Sequence, residues 1–595
     1  MATPWRPPEH VRPANALTRI ARSLRAAAHY RPGQLLHRVL DRARRRLTTV
    51  APAHLRSGLA DAAARVRARR DLGCPAALGE FALDPDVSPP ELAEQLLRGQ
   101  FTYLGVTREM GDDPDWYWER STAPSHLWRF NLHYHRFLVD ASVGALRCPP
   151  EADRILNRAS FLLDHWTSHC LPGSARSWDA AWSSYAASTR ILNAAIARRL
   201  LIALPGQAAE DLRRRIDLLA ASNADFVRRR LERDLGGNHL LRNATALLAA
   251  GDWFDGEPAQ GWRDLGRRLA HDELDRQILP DGFHEERTPM YHALLVEDLL
   301  VACMDRARSP ADDELRKTIA VCTGALGVVL HPDGQIALFN DSALGIASPP
   351  AALFRLARGL GFQAPSPARD LPDAGYYRFS HERDALIFDA GPLGPDHLPA
   401  HAHCDALSFE LTLDGTRVVV DTGVDRYEAG PGRDYQRGTA AHSTLQVADL
   451  EQGEPFGSFR MGRRPRVSGR RIDDRTAEGS HDGYGRHGKH RRRVQWNPGR
   501  GVSWIDVLDG PSELPVRVRL GLAPRVAVEI EGSTALVAVP GGSGFRLIAP
   551  ASGTLSLDSG LYCERFGRST PRDVLCWRGQ AGRGIELPFS IDRRG

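Results

Sequence analysis

The spacing of apolar residues changes once along this chain, near residue 370, from a helical period of about 3.6 residues to a strand period of about 2 residues. Before that point, helical segments alternate with short loops rich in Gly, Pro and Asp. After it, apolar and polar residues alternate. The sequence therefore predicts a multidomain protein in which an all-α part precedes an all-β part. The helices are predicted at residues 152–166, 178–204, 208–235, 240–254, 262–278, 290–306 and 311–329.

One two-residue turn indicates that the β-part is antiparallel. Asp414 and Gly415 separate two alternating runs, residues 408–413 and 417–420. An Asp-Gly pair favours the tight turn of a β-hairpin, because both positions tolerate positive φ. Similar runs continue towards residue 590, so the β-part has about 220 residues, which is enough for a sandwich of two sheets.

Residues 1–90 are predicted to form an Arg-rich helical arm. Apolar residues form two helical stripes there, and such arms usually cover a neighbouring surface or a partner. A contact with membrane phosphate is less favoured, because bulky aromatic residues are few. We expect this arm to pack outside a helical domain at 91–365 and a β-domain at 370–595. The stripes consist of Leu17, Ile20 and Leu24, and of Leu35, Leu36, Val39 and Leu40.

Composition limits the class of protein. Hydrophobic residues make up 42% of the 595 residues, which is ordinary for a globular chain. No apolar run approaches the roughly 18 residues that span a bilayer, so we predict no transmembrane segment. The eight cysteines include no CxxC pair. We find no secretory signal, so the sequence by itself predicts a cytoplasmic protein.

The basic residues are compatible with an acidic ligand. The formal net charge is only +5, but almost all basic residues are arginine, which binds carboxylate and sulfate groups bidentately. No GxxxxGK[ST], GxSxG or HExxH motif is present, and no GxGxxG opens a βαβ unit. An acidic ligand therefore stays open, and we predict no nucleic-acid partner.

Two polar motifs lie between predicted helices. Asn238 follows two glycines in Gly-Gly-Asn-His, where an Asn is a normal helix N-cap. The polar loop at 281–292 runs into another helix, with Thr288 as N-cap and Pro289 as first helical residue. Tyr291 then lies in the first turn, where the positive helix end can favour a phenolate. The alternative is a half-buried Tyr291 with a satisfied hydroxyl group.

Histidines and a carboxylate gather at the start of the β-part. Alternate residues of an extended chain face the same way, so His401 and His403 converge on one site. Histidines with a carboxylate make a plausible zinc site. In a simple two-residue turn, however, Asp421 pairs with Ser408 and faces away from His403. The zinc prediction therefore requires a bulge or an irregular segment near residues 404–406. The residues concerned are His401, His403, Asp421 and His442.

Aromatic residues are dense in the first half of the helical part, together with Arg, Asn and His. Such a surface suits sugar rings and acidic groups, although many of these rings also suit ordinary helix packing. The cluster indicates a carbohydrate ligand. We predict that the substrate-binding residues are Trp128, Trp178 and Arg190, with Glu286 from the polar loop.

In its order of parts and in three separated motifs, the chain resembles the heparinase II/III-like polysaccharide lyases. The most specific segment extends from His401, in HAHCDALSFELTLDGTRVVVDTGVDRYEAG, to RGTAAHSTLQVADLEQ. GGNH and DGFHEERTPMYH match two further positions of the family pattern. The resemblance covers residues 90–590. It implies an incomplete (α/α) toroid followed by an antiparallel β-sandwich.

The resemblance also implies roles for the site residues. Asn238, or His239 beside it, would bind and neutralise the carboxylate of a uronate. Tyr291 would act as acid, or as both acid and base, with His401 as its partner. The structural metal, commonly Zn²⁺, would be held by His403, Asp421 and His442. The secreted lyases of the family imply a location in the cell envelope or periplasm, whereas members without a signal are associated with surface-polysaccharide assembly.

The function predicted from the sequence is thus cleavage of an acidic, uronate-containing polysaccharide by β-elimination. One alternative is a glycoside hydrolase on an (α/α) toroid, with Asp281, Glu285 and Glu286 supplying the two carboxylates. The other is a non-catalytic glycan-binding or assembly factor of a polysaccharide biosynthesis system. A single cleft that brings Asn238 and Tyr291 together with the β-part would favour an enzyme.

Overall fold

The computed structural model describes residues 16–119, 123–305, 313–362, 368–541 and 544–594, with only the backbone for residues 16–20. Its first part is helical. Helices α1 to α15 span, in order, Ala16–Ala27, Pro32–Val50, Pro52–Ala64, Ala76–Leu83, Glu91–Leu97, His126–Leu132, Phe137–Arg147, Ala152–His169, Ser184–Leu200, Gln207–Arg229, Gly237–Trp253, Glu257–Gln277, Pro289–Ala302, Asp313–Leu326 and Pro350–Leu360. None of these helices combines the length and apolar character needed to cross a membrane.

Successive helices pack on one another in the manner of an incomplete (α/α) toroid, as predicted. Helix α9 contacts α7, α10 and α11, and α11 also contacts α12 and α13. Local chemistry sets the ends of these helices. Helix α9 begins at Ser184 rather than at residue 178 as predicted, because the Ser183 side chain accepts a hydrogen bond from Ala186 N and caps the helix. Short strands β1 to β4 accompany the helices at Arg67–Ala68, Gln100–Tyr103, Val106–Glu109 and Phe254–Asp255.

The second part is built from antiparallel sheets, with one short helix, α16 (Pro431–Arg437). Among the described residues, every pairing between strands of this part is antiparallel, as predicted. Strands β5 to β23 span Asp370–Leu371, Tyr376–His381, Asp384–Asp389, Phe409–Leu413, Thr416–Val419, Leu445–Val447, Pro455–Phe456, Arg460–Met461, Val467–Arg471, Thr476–His481, Lys489–Asn497, Gly501–Asp509, Leu514–Gly521, Ala527–Glu531, Thr534–Ala538, Phe545–Ile548, Thr554–Arg565, Arg568–Ala581 and Glu586–Arg593.

Three sheets form the β-sandwich. One has eight strands, in the order β13-β14-β15-β16-β23-β20-β19-β18, one has four, β10-β17-β22-β21, and one has five, β5-β6-β7-β8-β9. Aromatic residues join the first two: the Phe589 ring stacks on Trp504 in its own sheet at 5.0 Å and meets Trp577 of the four-stranded sheet edge-on at 5.7 Å. Packing of alternating inward residues thus creates the core of this part.

The predicted hairpin is present, and its register explains the position of Asp421. Asp414 and Gly415 both have positive φ, 51° and 75°, between the paired residues Leu413 and Thr416. The pairing then shifts by one residue between Thr412 and Leu411, so a bulge lies in β9. A one-residue shift moves every later side chain to the other face. An irregular segment also lies at 404–406, as the zinc prediction required, because these residues belong to no strand and Leu407 after them has φ of 64°.

The helical and β parts share one apolar core. Tyr376 and Phe566 of the β-part belong to the same buried cluster as the helices, and the Tyr376 ring stacks on Phe339 at 5.5 Å. The two parts are therefore joined by continuous apolar packing.

Candidate active site

Two aromatic rings face each other where the two parts of the chain meet. Tyr291 is the third residue of α13, after Thr288 and Pro289, as predicted. Its ring stacks on the imidazole of His401 in the β-part, with centroids 4.0 Å apart and planes at 29°. The Tyr291 hydroxyl lies 3.0 Å from that of Tyr427. The toroid and the sandwich therefore each supply one ring of this pair.

The Tyr291 hydroxyl is held in its protonated form. Burial, followed by the nearby Tyr427 and Tyr185 hydroxyls, raises the pKa of Tyr291 well above its usual value. The prediction that the helix start favours a phenolate is wrong, because removal from water opposes the charged form more strongly than the helix end stabilises it. At neutral pH this phenol is a proton donor.

Asn238 is the second residue of α11 and not its N-cap, because Gly236, with φ of 68°, takes the cap position. Asn238 donates its backbone N–H to Glu286 Oε1 at 3.1 Å, and its Nδ2 lies 2.9 Å from Oε2. A Cβ at Gly237 would meet Glu286 Oε1 at 2.6 Å and would also clash with Leu398. The Gly-Gly pair of the motif therefore permits this close approach.

Glu286 contacts two of the four predicted catalytic residues, Asn238 and His401. Its side chain is buried, and Oε2 lies 3.5 Å from His401 Nε2 while both oxygens contact Asn238. Burial raises the pKa of this carboxyl, but His401, His284 and the Asn238 donors outweigh burial and lower it below its usual value. Asn238 and His401 thus meet at one charged carboxylate, and Tyr291 joins them through its ring contact with His401.

Asp341 orients His401, and sequence reasoning missed it. Oδ2 of Asp341 lies 3.0 Å from His401 Nδ1 and 2.8 Å from Arg433 Nη2. This contact makes Nδ1 the donor and leaves Nε2, the nitrogen facing Glu286, as the basic one in the neutral ring. The available sequence signal was a run of polar residues at 340–342 directly after the apolar run 336–339, and all three are buried.

Arg242 is a second residue that sequence reasoning missed. It lies four residues after Asn238 on α11, so the two side chains share one helix face. Asn238, Arg242, Tyr291 and Tyr185 line one small pocket. Arg242 Nε donates to Asp298 at 2.6 Å, and Nη1 donates to the Tyr185 hydroxyl at 2.5 Å. The i, i+4 spacing of Asn and Arg was visible in the sequence.

A cleft of about 500 Å³ opens beside this group. Arg242 and Tyr291 line it from the helical part, and Tyr427 and Arg565 line it from the β-part. Its size suits a short segment of a polysaccharide, and its walls combine aromatic and arginine side chains. His239, which was predicted as the alternative to Asn238 for binding the carboxylate, lines neither this cleft nor the small pocket. His239 Nδ1 lies instead 3.5 Å from Glu232 Oε1.

Two of the predicted substrate-binding residues are core residues instead. Trp128 is 1% exposed and donates through Nε1 to Val106 O at 2.9 Å. Arg190 is fully buried, with its guanidinium 4.6 Å from the ring centroid of Trp166. Neither side chain is exposed to a ligand, so the prediction that these two residues bind substrate is wrong. Their clustering reflects helix packing, in which aromatic rings and a buried guanidinium satisfy one another.

Trp178 is half-buried and contacts the arm. Its Nε1 donates to Thr49 Oγ1 of α2 at 3.0 Å, and Arg230 lies over its ring at 5.0 Å from the centroid. Of the four predicted substrate-binding residues, Glu286 is the one that the structure brings next to Asn238 and His401.

Three buried side chains converge as a candidate metal centre. The ligand atoms of His403, Asp405 and His442 all lie within 4.8 Å of one another. One atom of each, His403 Nδ1, Asp405 Oδ1 and His442 Nε2, is buried without a hydrogen-bond partner. Unpaired polar atoms are rare in a protein interior. Two imidazoles and a carboxylate that point into one space therefore fit a divalent cation such as zinc.

Asp421 lies behind His442 in this arrangement. Its Oδ2 is 2.9 Å from His442 Nδ1, so it contacts a predicted partner but is not among the three converging groups. Burial lowers the pKa of His442, but Asp421 and Asp405 outweigh burial and raise it. A carboxylate on the outer nitrogen of a metal-binding His orients the ring. Asp421 as a direct ligand stays a prediction.

Comparison with known proteins places these motifs in one family. A family model described as Heparinase II/III N-terminus matches residues 91–348, and one described as Heparinase II/III-like, C-terminal, matches residues 363–589. The chain belongs to the heparinase II/III-like family. The two matches contain the Asn238, Tyr291 and His401 motifs, and membership of this family supports a polysaccharide lyase.

Individual relatives are distant. The chain is 27% identical to FtsZ-localized protein C of Caulobacter vibrioides, over 78% of this chain and 81% of that protein. It is also 27% identical to the heparin-sulfate lyase of Pedobacter heparinus, but over only 36% of each chain. A crystal structure of heparinase III has a TM-score of 0.65 at 18% identity, covering 88% of this chain and 85% of that one. The structural likeness shows the shared fold.

Proposed function

We propose that this protein is a lyase that cleaves an acidic, uronate-containing polysaccharide by β-elimination. The observation that supports this most strongly is the stacked pair of Tyr291 and His401, with 4.0 Å between ring centroids, beside a cleft lined from both parts. A proton donor and an imidazole held in contact, with Asn238 and Arg242 close by, supply the groups that this reaction needs.

β-Elimination next to a uronate carboxylate has three requirements. A base removes the weakly acidic proton at C5, an acid protonates the leaving oxygen at O4, and a donor stabilises the charge that develops on the carboxylate. Acid and base each contribute roughly 10²–10⁴-fold to the rate. A single donor aimed at the developing charge contributes on the order of 3 kcal/mol.

The described side chains can fill these roles. Tyr291 is protonated and therefore donates to O4, and the proton that His401 removes from C5 can restore the Tyr291 hydroxyl, because the two rings are in contact. His401, with Nδ1 held by Asp341, presents Nε2 as the base for C5. Asn238 and Arg242 bind the carboxylate. The acidic polysaccharides of the cell surface are the substrate class that we propose.

Glu286 occupies the donors of Asn238 to which the substrate carboxylate would bind. The Glu286 carboxylate accepts hydrogen bonds from the Asn238 donors, which are the donors proposed for the uronate. The substrate carboxylate would therefore replace Glu286 at Asn238 or enter beside it at Arg242. Asn238 Oδ1, buried without a partner, remains available as an acceptor for a sugar hydroxyl.

We propose a structural zinc ion for the metal centre. His403, Asp405 and His442 would hold it, and Asp421 would orient His442. When bound, the ion would hold residues 401–405 in place by neutralising the buried carboxylates. His401 itself would remain free to act as a base.

A glycoside hydrolase is the second candidate, and one observation favours it. Burial and the neighbouring Glu286 raise the pKa of Glu285 to about 7, whereas the pKa of Glu286 is lowered. A pair of carboxyls with opposite shifts is typical of an acid and a base in glycosidases. Asp281 is less suited to such a role, because its two oxygens already accept hydrogen bonds from the backbone, from Ala374 N at 2.8 Å and from Phe283 N at 3.1 Å.

The products distinguish the two reactions. A panel of uronate-containing glycans is incubated with the full chain, and ultraviolet absorbance and new reducing ends are followed together. A lyase generates an unsaturated uronate that absorbs in the ultraviolet, in step with new reducing ends. New reducing ends without absorbance would identify a hydrolase, and neither signal on any uronate glycan would contradict the proposed activity.

A further inference from the structure

Helix α2 of the arm presents its apolar side to solvent. Its residues Leu36, Val39, Leu47 and Val50 are 59%, 63%, 71% and 85% exposed. At 100° per residue they lie on one side of the helix. Surface helices of soluble domains normally turn this side inward, so α2 is inverted with respect to the body of the protein.

Polar contacts on its other side fix α2 in this orientation. Gln34 is buried and donates to Leu235 O at 3.4 Å. Arg230 of the toroid donates to the Thr48 hydroxyl and, at 3.0 Å, to Arg44 O, and it lies 3.8 Å from Asp41. The helix is therefore anchored through its polar face, which leaves the apolar stripe uncovered.

Arginines border the exposed stripe. On the helix, Arg42 and Arg46 lie along one edge of it and Arg44 along the other. None of the three forms an ion pair with any residue that the structure describes. An apolar strip between unpaired guanidinium groups is complementary to a surface that is apolar beneath a layer of negative charge.

We propose that this face of α2 docks on an anionic lipid surface. The leucine and valine side chains would enter the acyl boundary, while the arginines would contact lipid phosphates. A second copy of α2 fits this face less well, because two such helices would bring their arginines together without compensating charge. The sequence argument against a membrane rested on the scarcity of aromatic residues, but the outward direction of the aliphatic stripe weighs more.

Vesicle binding by the full chain tests the proposal. We expect co-sedimentation with vesicles of phosphatidylethanolamine and phosphatidylglycerol, little with phosphatidylcholine, and weaker binding at high salt. The double variant Leu36→Glu/Leu47→Glu should lower the partition coefficient about tenfold or more. Leu218→Glu is the matched control, because Leu218 is 61% exposed on the separate helix α10 and should leave binding unchanged.

A second pair of variants tests the charge. Arg42→Glu/Arg46→Glu should abolish the preference for phosphatidylglycerol, whereas the exposed Arg358→Glu on α15 should retain it. Wild-type binding equal on both vesicle types, or binding that survives both double variants, would overturn the proposal. The proposal would also be overturned if the wild type did not bind vesicles and light scattering showed that it is a dimer which Leu36→Glu/Leu47→Glu dissociates.

Discussion

At the residue scale, the site depends on which groups are charged in the folded chain. Tyr291 is held protonated, whereas Glu286 next to Asn238 is held ionised. These opposite states arise from position: the phenol lies among other hydroxyls, and the carboxylate faces His401 and amide donors. The motifs identified these residues from the sequence, but their protonation states depend on neighbours far along the chain, such as Tyr427.

Asn238→Ala should reduce turnover by about 10²–10³-fold, the range expected when one donor to a developing charge is removed. The Michaelis constant should change less, because the donor acts mainly in the transition state. Initial rates on a cleaved uronate glycan measure both. Asn497→Ala, which removes a half-buried amide from β15, serves as control. Unchanged turnover in Asn238→Ala would show that Arg242 binds the carboxylate without it.

Glu285→Gln should make the protein more stable at alkaline pH. Burial raises the pKa of Glu285 from 4.5 to about 7, so the folded state favours the protonated carboxyl. The protonated Glu285 carboxyl therefore does not oppose folding below pH 4.5, and the folded state loses free energy of unfolding as the carboxyl ionises while the pH rises through 7. Above that range the variant should gain on the order of 2 kcal/mol, seen as a higher Tm at pH 8.5 than wild type and no difference at pH 4. Equal melting curves at both pH values would contradict this.

At the scale of elements, turns and bulges decide where the side chains meet. The Asp-Gly turn was readable because only a few residue pairs adopt positive φ at both positions. The bulge in β9 was not, because no residue in Arg417 to Val419 marks it, and packing of the sandwich selects the register. Asp405 was missed for the same reason, since its direction depends on the irregular segment before β8.

Metal analysis of single variants tests the candidate centre. His403→Ala and His442→Ala should lose the bound metal after dialysis, because each removes a converging ligand atom. Asp405→Asn should do the same, while Asp421→Asn should retain metal with an affinity about 10–100-fold lower, as expected for an orienting partner. A chelator should lower the Tm of the wild type. Loss of metal in Asp421→Asn, with metal retained in Asp405→Asn, would instead make Asp421 the ligand.

At the scale of the whole molecule, the order of a helical domain and a β-domain was visible in the periodicity alone. The toroid and the sandwich followed from the family resemblance, and both are present. What the sequence could not supply was the contact between the parts: Phe566 joins the core of the toroid although it lies more than 200 residues after α15. Trp128 and Arg190 were misassigned because a dense aromatic cluster looks alike in a core and in a sugar site.

The proposed mechanism is tested most directly by the ultraviolet progress curve of Tyr291→Phe, compared with that of the wild type on a glycan that the wild type cleaves. The substitution removes one hydroxyl, so the fold and the Tm should be retained while elimination is abolished. Tyr377→Phe removes a buried hydroxyl without a partner elsewhere in the β-part and should keep full activity. Full elimination by Tyr291→Phe would contradict the assignment of Tyr291 as the acid and with it the proposed mechanism.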